Sequence, residues 1–149
     1  MTIRSRAACV AAMVACLAAC GASAVTEERV ERAMASTFAN LVHAQLGRMR
    51  LADVPVSALR VVASCYRVGG GRAGAGEWAC TIVWAGPNGA TLRDSYDLSV
   101  GANACYTATL GGTIEGQLGG PTITAADGRP VPNLLYSFDG CFDPFQARP

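Results

Sequence analysis

Cys65 and Cys80 stand equally far from the middle of a glycine-rich octapeptide, Gly69-Gly70-Gly71-Arg72-Ala73-Gly74-Ala75-Gly76. A hairpin that turns between Arg72 and Ala73 sets these two cysteines directly opposite each other. An opposed, non-hydrogen-bonded pair in an antiparallel ladder holds its Cα atoms about 4.5 Å apart, within reach of a disulfide. Four cysteines lie in the body of the chain and allow three connectivities. This geometry favours Cys65–Cys80, which leaves Cys105 and Cys141 for each other. The second bridge would tie the Asp139-Gly140-Cys141-Phe142-Asp143 segment to the sheet.

The elements around those cysteines fall in a telling order. Thr26 is placed to cap a helix, with Glu27, Glu28 and Glu31 in its first turns, where negative charge suits the helix dipole. Val30, Met34, Phe38, Leu41, Val42, Leu46 and Met49 then recur on one side of a 3.6-residue period, and Arg29, Arg32, Ser36, Asn40 and His43 on the other. The spacing predicts an amphipathic helix of about five to six turns that frays near Gly47. Asp53-Val54-Pro55 breaks it.

Strands are predicted over Leu59–Val68, Glu77–Ala85 and Thr91–Val100, with weaker candidates at Cys105–Leu110, Thr113–Leu118 and Leu134–Phe138. Gly86-Pro87-Asn88-Gly89 is a turn. One helix followed by strands with short connections predicts an α+β fold: a long N-terminal helix packed on a curled antiparallel sheet, stapled by two disulfides. At 149 residues the chain holds one domain of ordinary size.

The first nineteen residues read differently from the rest. Arg4 and Arg6 precede an uncharged run from Ala7 to Ala19 that spans only about 20 Å as a helix, too short for a ~30 Å hydrocarbon core. This is the pattern of an export signal. It ends in Leu17-Ala18-Ala19-Cys20-Gly21, which resembles the lipobox of bacterial lipoproteins: an aliphatic residue, two small residues and a cysteine. The resemblance covers the export segment alone. It implies that Cys20 carries a diacylglyceryl group and becomes the first residue of the mature protein, held on the extracytoplasmic face of the cell membrane. The alternative is a secretory signal cut after Ala22-Ser23-Ala24, which would release the protein.

The organisation expected is therefore a signal over 1–19, a lipidated cysteine and tether over 20–26, and one extracytoplasmic domain over 27–149. The tether reaches at most about 20 Å. Outside the cytoplasm, the four remaining cysteines are read as bridges.

Charge narrows the partners. Twelve basic and eleven acidic residues are nearly balanced, and loss of Arg4 and Arg6 with the signal leaves ten against eleven. Such a chain lacks the basic excess of a nucleic-acid binder. It also offers little electrostatic pull to a membrane, so anchorage falls to the lipid on Cys20.

Motif searches point away from catalysis. Gly69-x-Gly71-x-x-Gly74 matches a dinucleotide fingerprint in letters, but the strand-like Glu77–Trp84 follows where a helix N-terminus is needed. His43 is the only histidine, no lysine occurs, and HExxH, GxSxG, Ser-x-x-Lys and CxxC are absent. No metal or cofactor is expected. Asp94 with Asp97, and Asp139 with Asp143, are close carboxylate pairs without the ligand density of a calcium loop. Together with His43 they are the residues a small hydrolase would have to use.

Trp78 and Trp84 share one sheet face by parity. If that face is open, Trp78, Trp84 and Tyr96 form an aromatic surface for a protein or glycan; if it meets the helix, they are core. The expectation is a non-enzymatic, membrane-anchored module that binds a protein or envelope component. The alternative is a protease inhibitor. The Cys65–Cys80 spacing is superficially similar to subtilisin-inhibitor-like proteins, and the order of helix and sheet resembles cystatins. Val61-Val62-Ala63-Ser64 lacks the glycine of the cystatin loop.

Overall fold

A computed structural model describes residues 25–51, 53–111 and 120–142. The helix α1 runs Glu27–Arg48, capped by the Thr26 hydroxyl, which accepts from the Arg29 N–H at 3.4 Å. Its apolar stripe buries Val30, Met34, Phe38, Ala39, Val42 and Leu46, each large side chain worth about 1.5–3 kcal/mol. A 3-10 turn over Val56–Leu59 replaces the expected start of the first strand.

The strands are β1 (Val62–Arg67), β2 (Gly76–Ala85), β3 (Thr91–Val100), β4 (Cys105–Leu110), β5 (Thr122–Thr124), β6 (Pro130–Pro132) and β7 (Ser137–Cys141). Five form an antiparallel sheet in the order β1-β2-β3-β4-β7, and β5-β6 form a separate small hairpin. The α+β class is thus as expected. The expected curl is not what this order shows: the sheet is open, with β1 and β7 as its edges. The strand expected at Thr113–Leu118 lies outside the described residues. That at Leu134–Phe138 begins three residues later, because Leu134–Tyr136 make the turn that enters β7.

Both cysteine pairs sit opposite each other in register. Cys65 faces Cys80 and Cys105 faces Cys141, with Cα separations of 4.1 and 3.9 Å, and both pairs are bonded. The Cys65 N–H points away from β2 and donates to Glu31 Oε1 on α1 at 3.0 Å. This confirms a non-hydrogen-bonded pair with β2 and also stitches the helix to the β1 edge. By the chain-entropy model the two bridges, 15 and 36 residues apart, contribute about 3 and about 4 kcal/mol.

The segment after β4 is docked by buried amides. Gln45 Nε2 donates to Asn133 Oδ1 at 2.8 Å, and Gln45 Oε1 accepts from the Leu134 N–H at 2.8 Å. Asn133 Nδ2 reaches the Gly120 carbonyl at 2.9 Å, and the Tyr96 hydroxyl donates to the Leu135 carbonyl at 2.6 Å. A glutamine on the buried stripe is therefore a clamp across 88 residues of sequence. Gln45→Ala strands the Leu134 N–H and opens a void. We expect a loss of about 2–3 kcal/mol in urea unfolding; a change within about 0.5 kcal/mol, as for an ordinary surface site, would contradict this role.

Candidate functional site

The aromatic face meets the helix. Trp78, Trp84 and Tyr96 are 1%, 5% and 1% exposed, so of the two readings the core holds and the possible binding surface at these residues is corrected. Phe38 of α1 sits edge-on to Trp84 at 5.6 Å and to Tyr96 at 5.9 Å, and Tyr96 meets Phe138 at 5.3 Å. Parity placed these rings on one face, but parity cannot say which face a helix will cover. The indole of Trp78 donates to the Gly74 carbonyl at 3.2 Å.

The glycine-rich segment is an ordered loop wrapped around an arginine. Arg67 donates to the carbonyls of Ala75 (3.0 and 3.2 Å) and Gly70 (3.3 Å). Gly69, Gly70, Gly71, Gly74 and Gly76 all take positive φ, which explains their density without a nucleotide.

The candidate catalytic residues are not assembled. Asp94 and Asp97 alternate to opposite faces of β3, Asp94 buried and Asp97 exposed. Asp139 is on the outer face, where it accepts from Thr107 Oγ1 at 2.7 Å. Exposed His43 has Nδ1 3.0 Å from the Val54 carbonyl. Asp143 lies outside the described residues. Among the described residues, no group of three His, Cys, Asp or Glu side chains is arranged to hold a metal.

What the outer face does form is a shallow dish of about 230 Å³ lined by Tyr66, Ala79, Thr81, Ser95, Asp97 and Gly111. Register explains its shape. Tyr66, Ala79, Asp97 and Thr109 stand in one row across four strands, with Ser64, Thr81 and Ser95 in the next. Ala79 is the small residue between a ring and a carboxylate. Gly111, whose N–H donates to the Ser95 carbonyl at 2.9 Å, closes the floor. A Cβ there would lie 2.7 Å from Asp97 Oδ2, so a larger residue would make that exposed carboxylate turn aside.

Tyr66 is 66% exposed, the most open large apolar side chain described. Neighbouring polar residues are paired, Ser99 with Glu77 at 3.1 Å and Thr107 with Asp139, whereas Asp97 has no hydrogen-bond or ion-pair partner among the described residues. The arrangement presents an aromatic surface, an acceptor-only carboxylate and two hydroxyls. The sequence signal was available: Tyr66 has the opposite parity to the cysteine at 65, which the bridge turns inward.

A larger cleft of about 290 Å³ lies between α1 and Cys141–Phe142, lined by Arg29, Arg32, Ser36 and Thr37. Both sites reach the limits of the described residues, the cleft at Phe142 and the dish at Gly111.

No family model, curated protein or solved structure matches the chain.

Asp94 is a second unusual feature of the fold. It is fully buried, accepts from Trp84 Nε1 at 2.6 Å through Oδ2, and leaves Oδ1 without a partner among the described residues. Burial pushes its carboxyl above the usual range, only partly offset by the indole bond. Burial, with the nearby Asp94 charge, pushes the Tyr96 phenol up as well. For Asp94 the folded chain holds its proton where the unfolded chain has lost it. Stability therefore falls as pH rises from the unfolded carboxyl value of about 4 to the raised folded value, then levels. Asp94→Asn keeps an acceptor for Trp84 and removes this term. Its stability relative to the parent should rise with pH across that window in urea titrations; a difference flat from acid to neutral pH would refute the assignment.

Proposed function

We propose that this is a membrane-anchored extracytoplasmic lipoprotein whose domain is a non-enzymatic binding module for a protein or envelope component. The observation that carries the binding reading is the dish on the outer sheet face, where exposed Tyr66 stands across Ala79 from Asp97. Tyr66 offers an open ring face, and Asp97, which has no hydrogen-bond or ion-pair partner among the described residues, offers an acceptor beside it. The chemistry suits a ligand with hydrogen-bond donors next to an apolar face, such as a sugar ring or a basic side chain.

Anchorage rests on the lipobox at Leu17–Cys20. Two acyl chains hold a bilayer stably at about 0.8 kcal/mol per buried CH₂, without help from the domain. Among the described residues no helix is long and apolar enough to cross a membrane. Two disulfides accord with an oxidising compartment.

The test has two arms. Cys20→Ala should move the protein from the membrane fraction to the soluble one, and an unchanged distribution would remove the anchor. A photoreactive amino acid at Tyr66 should give a discrete adduct on intact cells that Asp97→Ala weakens, while the same group at Asn40 on the helix gives none. Identical adduct patterns at both positions would remove the dish as the binding face.

A further inference from the structure

We infer that the pole of the domain formed by the β1–β2 loop and the β3–β4 turn rests on the bilayer surface that holds the Cys20 lipid. This rests on the anchored reading above and adds an orientation to it. The argument begins where the chain enters the domain. Val25 is 1% exposed and is clamped into the glycine-rich loop: its carbonyl accepts from the Gly74 N–H at 2.9 Å, and the Glu27 N–H donates to the Arg72 carbonyl at 3.0 Å. Thr26 bridges Ala73 as a short extra ladder. Arg72 then grips the Glu27 carboxylate with two nitrogens, at 2.8 and 3.2 Å, which holds that carboxyl below its usual range. The entry point cannot swing away from the loop.

The reach of the tether does the rest. Cys20 and Val25 are five residues apart, at most about 20 Å when fully extended. β2 alone, ten residues long, runs about 30 Å from this pole to the opposite one. The near pole is therefore held inside the tether's radius, and the far pole is a strand length further from the point of attachment.

A linker this short gives a local concentration of order mM, at which even a weak surface contact is populated. The near pole offers one: Val68 is 55% exposed, and Gly69, Gly70, Gly71 and Ala102 present little but backbone and methyl groups. Arg72 is paired with Glu27, and Arg67 is turned inward onto the Ala75 and Gly70 carbonyls, so the surface this pole presents outward is mainly apolar. The far pole carries exposed Leu51, Val56 and Val62, which makes it a matched control.

The lipidated full-length protein in mixed phosphatidylethanolamine–phosphatidylglycerol vesicles provides the test, with Val68→Trp as reporter and bromine-labelled acyl chains as quencher. Native Trp78 and Trp84 are buried and set a constant background. Contact about 5–10 Å into the headgroup boundary should cost the Val68→Trp indole roughly half its emission. Val56→Trp at the far pole should lose no more than the parent. Ala102→Trp is a second near-pole reporter should Val68→Trp not fold.

Flotation of the same samples separates the two readings. Protein that floats with vesicles while both near-pole reporters match the parent, or while Val56→Trp is quenched as strongly, overturns the orientation and leaves the anchor intact. Protein that fails to float overturns the anchor, and the orientation with it.

Discussion

The register that sets Cys65 opposite Cys80 decides how every residue of β1 lines up with β2. Side chains alternate with a period of two, so one slipped position between these two strands would set the buried Trp78, Ile82 and Trp84 of β2 against the wrong face of β1. The disulfide makes that slip covalently unavailable. Once the register is held, one face is apolar enough to bury the α1 stripe, and the other is left to hydroxyls, carboxylates and Tyr66. The second bridge does the same for β4 and β7. Core and outer dish are two consequences of one alignment.

Within that core the protein keeps polar groups at three depths, and they do different things. The Gln45–Asn133 pair is saturated with hydrogen bonds and fixes where the β5–β6 segment docks on the helix. The Tyr96 hydroxyl is satisfied by the Leu135 carbonyl and belongs to the same clamp. Asp94 is half satisfied, which in a low-dielectric site costs more than either full pairing or an apolar replacement.

Much of this was legible in the sequence, for reasons that can be traced. Thr26 as cap, the α1 stripe, β2 to β4 and the two bridges follow from local chemistry and from the symmetry of the cysteines about the loop. Asp94 and Gln45 were harder, because each sits at an apolar position of its pattern and takes its meaning from partners on distant segments. The facing of Trp78 and Trp84 depended on tertiary packing: parity put them together, and the helix decided that together meant buried. Tyr66 went unassigned because the aromatic reading followed the tryptophans. The β5–β6 hairpin was missed because three-residue strands containing two prolines carry almost no β signal.

The loop 69–76 unites the account of fold and address. It turns the hairpin that aligns Cys65 with Cys80, encloses Arg67, and clamps Val25–Glu27 where the tether arrives. With the lipid on Cys20 that we propose, the attachment point would stay ordered to within five residues of the anchor. The proposed anchorage requires that the mature chain start at Cys20, and the N-terminal peptide of protein purified from membranes reports on that directly by mass. A peptide beginning at Cys20 with diacylglyceryl mass is the expected result. A peptide beginning at Val25 without lipid, the product of cleavage after Ala24, would contradict it.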